Sequence, residues 1–254
     1  MAKRSGLGMK LYIGGYDISG DVGSLGTIST PVAMFDVTAI DKLGHERIEG
    51  QRDGQLAFNV FFNDAAGQAH PVVKALPSTD VYAMLLLSTT AGDEVFAITA
   101  KWVDYALTRG ADGSLGGTVT LTGTAPGSGP CAEWADLLLS KTTHASAADA
   151  VGIDGGAQST QGAVGFLQHF SAASGTVEYD IEDSSDSTNG VDGVWANLLP
   201  FVDVATPYTP EGQRVQVAGT VERWTRASTN GTFTTAVFAM ALRRKTAVDA
   251  DAAA

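Results

Sequence analysis

Cysteine and basic side chains are scarce in this chain of 254 residues. Cys131 is the only cysteine, so the sequence excludes an intrachain disulfide and a zinc site built on cysteines. Lysine and arginine number 16 against 28 acidic residues, which gives a net charge of −12. A protein that grips nucleic acid across its surface needs clustered basic side chains, so this charge balance argues against such a role.

Long apolar runs and catalytic motifs are also missing. No apolar run of about 18 residues occurs, so we expect no membrane partner, and the basic start Met1–Met9 lacks the apolar stretch of a secretory signal. There is no nucleophile elbow, Walker loop or dinucleotide-binding glycine motif. Because no set of nucleophile, base and orienting residue can be assembled, we predict a protein without enzymatic activity and without a cofactor.

The charges that are present are unevenly distributed. Charged residues make up 17% of the chain, which is low for a globular protein. Thr142–Gln213 contains 10 acidic residues and no lysine or arginine, whereas residues 214–245 contain 6 basic residues and 1 acidic residue. Charge is depleted at the centre of protein interfaces, so the weakly charged surface favours contacts with other subunits.

The hydrophobic pattern predicts an all-β chain. Segments 56–62 and 177–182 alternate apolar and polar residues, as half-buried strands do, and we also predict a strand at Val81–Leu87. Only two segments have helical features. His70–Leu76 has a proline near its start and another after its end, and Glu133–Leu139 has the spacing of two helical turns.

Composition divides the chain into two units. Residues 142–161 are small and polar without aromatic side chains, which is typical of a flexible linker. The fold prediction is therefore a β-sandwich or barrel domain at 1–141 with one or two short helices, and a second β-sandwich domain at 162–245. The alanine-rich segment 246–254 is predicted to be a frayed tail.

Two features of the second unit are candidates for ligand binding. The loop 182–193 is rich in the oxygen ligands that calcium prefers, although its spacing is not that of an EF-hand. The aromatic residues Trp195, Phe201, Tyr208 and Trp224 cluster in sequence and leave a carbohydrate site open. The alternatives are an acidic loop that faces water and aromatic rings that pack in the core.

Several segments resemble the tail tube (major tail) proteins of long-tailed bacteriophages. In the first unit these are Leu11–Leu25, Phe35–Asn63 with its Gly-Gln-Arg-Asp-Gly turn, and Thr108–Thr124. In the second unit, Val177–Asp186 and Gly219–Ser228 are similar to the β-sandwich that often accompanies such proteins. The resemblance is one of strands and turns and covers most of the chain.

This resemblance implies a tail-tube-like β domain followed by an added β-sandwich. It further implies a structural virion protein of the tail, assembled in the host cytoplasm, that forms homo-oligomeric and hexameric rings. The rings stack into a tube with other tail proteins as partners, and DNA passes through it without specific binding. A capsid-decoration or other minor virion protein, and a carbohydrate- or receptor-binding module, remain the alternatives.

Charged residues of the first ten positions and of the second unit are the candidate contacts between copies. In chain order they are Lys3, Arg4, Lys10, Asp183, Asp186, Asp192, Arg243 and Arg244. The first three belong to a basic arm, Met1–Lys10, which we expect to become ordered against the acidic surface of a neighbouring copy.

Overall fold

The computed structural model describes residues 5–75, 80–126 and 129–246, apart from the side chains of residues 102 and 103. Its elements in chain order are β1 (Lys10–Ile13), β2 (Tyr16–Asp17), β3 (Val22–Ser29), β4 (Val32–Asp36), β5 (Arg47–Arg52), β6 (Gln55–Phe61), α1 (Ala69–Lys74), β7 (Val81–Leu86), β8 (Glu94–Arg109), β9 (Leu115–Gly123), β10 (Ala132–His144), β11 (Ala148–Asp149), β12 (Ile153–Asp154), β13 (Ala163–Ala172), β14 (Gly175–Ser184), β15 (Ala196–Pro200), β16 (Val204–Ala205), β17 (Glu211–Val217), β18 (Trp224–Phe233) and β19 (Ala236–Arg244).

The prediction of an all-β fold is confirmed, and the short helix α1 lies in the segment predicted for it. No helix in the described ranges is long and apolar enough to cross a membrane. The predicted contact residues Lys3 and Arg4, and positions 247–254 of the predicted tail, lie outside the described residues.

Strand β10 joins the two predicted units in one large sheet. Its first residues, Ala132–Asp136, pair with β8, and Asp136–His144 pair with β19. From β19 the sheet continues to β13 and β17, and from β8 it continues to β7, β1 and β2. The division into domains at residue 141 stays a prediction. Strand β10 crosses this position and is hydrogen-bonded to strands of both predicted units.

The prediction of helical turns at Glu133–Leu139 is wrong, because this segment lies within β10. The adjacent residues Leu137 and Leu138 are both buried, since each face of the sheet is covered at this point: Leu137 packs in a cluster with Val95 and Phe166, and Leu138 faces the second sheet. A strand buried on both faces loses its alternation, so its apolar run resembles that of a short helix.

The segment 142–161, predicted as a flexible linker, is instead paired into the sheets. It contains the end of β10 and the short strands β11 and β12, both of which pair with β18. Asp149 forms an ion pair with Arg226 at 2.8 Å, and Asp154 accepts a hydrogen bond of 2.7 Å from Nε of Arg223. These partners are distant in sequence, so the composition of the segment alone gave no sign of its order.

A second sheet covers one face of the large sheet. Strand β14 lies between β18 and β15, and β11, β12 and β16 add short pairings at its margins. Val177 and Tyr179 of β14 pack against Leu167 of β13 and Phe238 of β19 in a continuous core. This packing forms a sandwich in which both layers are antiparallel.

The first unit ends in a curled sheet, which we define as β3, β6, β9 and residues Lys101–Arg109 of β8. The neighbouring strands in it are antiparallel. Its inner face is apolar and buried, through Leu56, Phe58, Val60, Val119 and Leu121. The strands therefore have one face in the core and one face toward solvent, as antiparallel sheets commonly do.

A buried ion cluster fastens the centre of the large sheet. Glu133 of β10 accepts hydrogen bonds from Nε and Nη2 of Arg214 at 3.1 and 2.9 Å, and from Nη1 of Arg243 at 2.7 Å. The side chains of Glu133 and Arg214 are only 2% and 3% exposed. A carboxylate buried to this degree is tolerated because the two guanidinium groups compensate its charge.

We predict that Glu133→Gln lowers the free energy of unfolding by about 3 kcal/mol, because it leaves the charge of Arg214 buried without its counter-ion. Urea titration followed by circular dichroism measures this change. The matched control is Glu46→Gln, which breaks the exposed pair of Glu46 with Lys42 and should cost at most about 0.5 kcal/mol. Equal effects of the two substitutions would contradict the assigned role of Glu133.

His169 is a second buried polar group, in β13. Its Nδ1 lies 2.6 Å from the hydroxyl of Tyr179, and its Nε2 has no partner among the described atoms. Burial lowers the pKa of His169 from 6.5 to about 4. The folded protein therefore holds this imidazole neutral at pH values where the unfolded chain protonates it.

We predict that the folded state loses stability as the pH falls from 6.5 toward 4, because the unfolded state then binds a proton at His169 that the folded state does not. Between pH 7 and pH 4.5 the loss from this residue is about 2 kcal/mol. Urea titrations at the two pH values, on the unmodified chain and on His169→Phe, measure it. If both proteins lose equal stability, the assignment to His169 is wrong.

Candidate assembly interface

Several exposed apolar side chains lie on a hairpin formed by residues 32–52, which we call the exposed hairpin. Its strands β4 and β5 pair with each other in a separate two-stranded sheet. They continue β3 and β6 of the curled sheet after breaks at Thr30-Pro31 and Asp53-Gly54, where the amide of Asp53 donates to the carbonyl of Pro31 at 2.9 Å. None of its residues is buried in the isolated chain.

The exposed hairpin is amphipathic. Phe35 and Ile48 are cross-strand partners and are 55% and 54% exposed. The opposite face carries the charged cross-strand pair of Asp36 and Arg47. Two-stranded sheets are marginally stable alone, and an apolar face of this kind is typical of a surface that a partner covers.

The tip of the exposed hairpin has a defined geometry. The carboxylate of Asp36 accepts a hydrogen bond from the amide of Thr38 at 2.9 Å and contacts Nδ1 of His45 at 2.8 Å. The hydroxyl of Thr38 also donates to Asp36 and accepts from the amide of Glu46 at 2.8 Å. The hydrogen bonds from Thr38 lower the pKa of Asp36. This network presents Ile40 and Leu43, which are fully exposed.

The curled sheet has two open edges. Within the described ranges β3 pairs with β6 alone, so its other edge is free. In β8 the pairing with β10 ends at Ile98 and the pairing with β7 ends at Ala100, and among the described residues Lys101–Arg109 pair with β9 alone. Unpaired amide and carbonyl groups along such edges are templates for strands of another chain.

The solvent-facing side of the curled sheet is polar but almost uncharged. Asn59 links three strands, because its Nδ2 donates to the hydroxyl of Ser24 at 2.9 Å and its Oδ1 accepts from the hydroxyl of Thr118 at 2.9 Å. In the four strand segments that define the curled sheet, the charged residues are Lys101, Asp104 and Arg109. A shallow groove of about 440 Å³ lies at one end of this face, beside Phe61, Gly116 and Gly117.

Most of the predicted contact residues have partners within their own chain. Asp183 is buried and accepts the amide of Glu222 at 2.8 Å, and burial raises its pKa. Arg243 binds Glu133, and Arg244 donates to the carbonyls of Glu222 and Arg223 at 2.6 and 2.7 Å. Lys10 begins β1 and is partly exposed. The role of these residues in contacts between copies stays a prediction.

Two carboxylates of the acidic loop 182–193, Asp186 and Asp192, are hydrogen-bonded to residues in or next to the loop. Asp192 accepts from the amide and hydroxyl of Thr188 at 2.7 and 2.6 Å, and these bonds lower its pKa to about 2. Asp186 accepts from the amide of Val194 at 2.8 Å and from the hydroxyl of Ser184 at 2.8 Å. Across the described residues there is no group of three or more His, Cys, Asp or Glu side chains arranged to hold a metal ion.

The four aromatic residues considered for sugar binding contact other parts of the second unit. Phe201 and Trp224 are buried, and Tyr208 packs against the core. Trp195 is half-buried, with the guanidinium of Arg226 at 4.3 Å from its ring centroid. Stacking of a sugar needs an open aromatic face, so this arrangement favours a packing role.

The exposed hairpin and the open edges were not among the contact surfaces predicted from the sequence. The signal for the hairpin was present, because the apolar residues Phe35 and Ile48 lie close to the charged residues Asp36, Arg47 and Glu49. Edge positions, in contrast, depend on which strands pair. That pairing is set by contacts distant in sequence.

Comparisons with known proteins give structural likenesses only. No family model matches the chain, and no curated protein matches it. A search of solved structures finds the Dit protein of phage SPP1, described as a hub adsorption protein, with 10% identity, a TM-score of 0.36, and coverage of 93% of this chain and 99% of that one.

A chain of the phage p2 baseplate in its activated conformation with strontium is similar at 9% identity, a TM-score of 0.31, and coverage of 93% of this chain and 98% of that one. The structural neighbours are thus hub and baseplate proteins of phages. TM-scores below 0.5 establish neither a common fold nor a common function, so the function has to be argued from the surface of this chain.

Proposed function

We propose that the chain is a structural subunit of a bacteriophage tail, in which copies form closed rings that stack into a tube for DNA ejection. The observation that carries the proposal is the curled sheet with its two open edges. The sequence segments that resemble tail tube proteins support the same function, and they include half of β3 and all of β6 and β9.

The two open edges belong to different strands, so their pairing between copies is head-to-tail. The edge of β3 in one copy meets the edge of Lys101–Arg109 in the next copy, and each copy retains a free edge for a further one. Such heterologous pairing produces a ring when the rotation between copies closes. The family resemblance implies a ring of six.

In this ring the solvent-facing side of the curled sheet lines the channel. Its hydroxyl and amide groups, with few charges, suit the passage of a duplex, because each phosphate neutralised by a basic side chain would add affinity and slow the DNA. The net charge of −12 further disfavours retention of DNA.

The exposed hairpin supplies contacts between stacked rings. It follows β3 and precedes β6 in the chain, and its apolar residues Phe35, Ile40 and Leu43 are covered by a second copy. Burial of apolar side chains against a neighbour stabilises association by about 25 cal/mol for each square ångström removed from water. As a tail subunit, the protein assembles in the host cytoplasm and becomes part of the virion tail together with other tail proteins.

We predict that the purified chain forms ring stacks with a central channel in electron micrographs, and that Ile40→Asp with Leu43→Asp prevents the stacking. The two carboxylates would have to be buried without partners, at a cost of several kcal/mol. Light scattering and negative-stain micrographs measure the assembly. The melting temperature of the variant should match that of the unmodified chain, because both side chains are exposed before assembly.

The control is Val202→Asp, which introduces the same charge at an apolar residue that is 71% exposed in the second unit. This variant should stack as the unmodified chain does. Single rings in the hairpin variant, with normal stacks in the control, are the expected outcome. Unmodified protein that remains monomeric, or that binds only to capsids, would contradict the proposed function as a tube subunit.

A second prediction concerns the channel. Thr118→Lys places one lysine per copy on the solvent-facing side of the curled sheet, and assembled tubes should then retain short duplex DNA at low salt about tenfold more tightly than the control. The control is Thr232→Lys, at an exposed strand position of the second unit. Equal retention by the two variants would show that the face lined by Thr118 does not contact DNA.

A further inference from the structure

Another exposed apolar surface lies on the second unit, around Trp195. The amide of Gly152 donates to the carbonyl of Gly190 at 2.8 Å, and a Cβ on Gly152 would lie 2.5 Å from Cη2 of Trp195. The residues that flank these contacts, Val151, Val191 and Val194, are 63%, 65% and 76% exposed. We call these three valines and Trp195 the valine patch.

The valine patch is held in place by hydrogen bonds. Nε1 of Trp195 donates to the carbonyl of Asp192 at 3.0 Å, and the guanidinium of Arg226 stacks on its ring. The amide of Val194 donates to Asp186 at 2.8 Å. A surface with this geometry fixed in advance loses little conformational entropy when a partner binds.

The surroundings of the valine patch are acidic. Asp186 and Asp192 lie in the loop that carries it, and Asp149 and Glu182 pair with Arg226 at 2.8 and 2.6 Å. Two carboxylates thus pair with the guanidinium of Arg226, and two more lie in the loop that carries the patch. The surface therefore complements a partner segment that is both apolar and cationic.

We propose that the valine patch binds the amino-terminal segment, residues 1–10, of a second copy of the chain. This inference rests on the proposed self-assembly. The segment contains Lys3, Arg4 and Lys10 and no acidic residue. The apolar side chain of Leu7 in this segment is 91% exposed, so it does not pack against its own chain.

The other end of the chain does not suit this site. Beyond Lys245 it contains Asp249 and Asp251 and no basic residue, so its charge is repelled by the acidic rim. Of the two terminal segments, only residues 1–10 combine positive charge with an exposed apolar side chain. Binding of residues 1–10 to the valine patch also gives the acidic second unit a function in assembly.

Disulfide cross-linking of the assembled full-length chain tests this contact. In the variant Leu7→Cys with Val194→Cys, mild oxidation should produce covalent dimers and longer ladders on a denaturing gel. The native Cys131 is buried and stays in place. The matched control, Leu7→Cys with Val202→Cys, places the second thiol at an exposed valine outside the patch and should yield only monomers.

Reversal of the charges in the segment gives an independent measurement. Adding Lys3→Glu and Arg4→Glu to the cross-linking variant should lower the cross-linked fraction about fivefold, which corresponds to about 1 kcal/mol. Light scattering on the same samples reports whether rings have formed. Rings without cross-links, or cross-links within single chains only, would overturn this inference and leave the proposed function unaffected. A lack of rings would instead contradict the proposed function itself.

Discussion

The pairing of β10 with β8 on one side and with β19 on the other is the interaction on which the structure depends. Because Asp136 lies at the point where one pairing ends and the other begins, the strands of both predicted units align in a single sheet. The ion cluster of Glu133, Arg214 and Arg243 fastens three of these strands.

This constraint gives the proposed assembly its geometry. The curled sheet presents two open edges, on β3 and on Lys101–Arg109 of β8, and the exposed hairpin continues β3 and β6. In the proposed assembly, contacts within a ring use β3 and Lys101–Arg109 of β8, and contacts between rings use the hairpin that continues β3 and β6. The second sheet covers the face of the large sheet that contains Leu167 and Phe238, which keeps that face out of the interfaces.

The sequence predicted the local features that depend on neighbouring residues. Alternation at Val177, Tyr179 and Ile181 predicted β14, and the prolines around residues 71–77 predicted α1. It failed where distant contacts decide: Leu137 and Leu138 looked helical because both faces of β10 are buried, and residues 142–161 looked flexible because their arginine partners lie in β18 and just before it. The open edges were missed for the same reason, because a strand becomes an edge only through the pairing of the other strands in its sheet.

Cryo-electron microscopy of the assembled chain tests the central claim most directly. The account predicts that β3 of one copy runs beside Lys101–Arg109 of β8 in the next copy, at the separation of about 4.8 Å that hydrogen-bonded strands adopt. The curled sheets of all copies would then form one continuous barrel around the channel. A map in which either edge faces solvent, or in which copies meet through other surfaces, would contradict it.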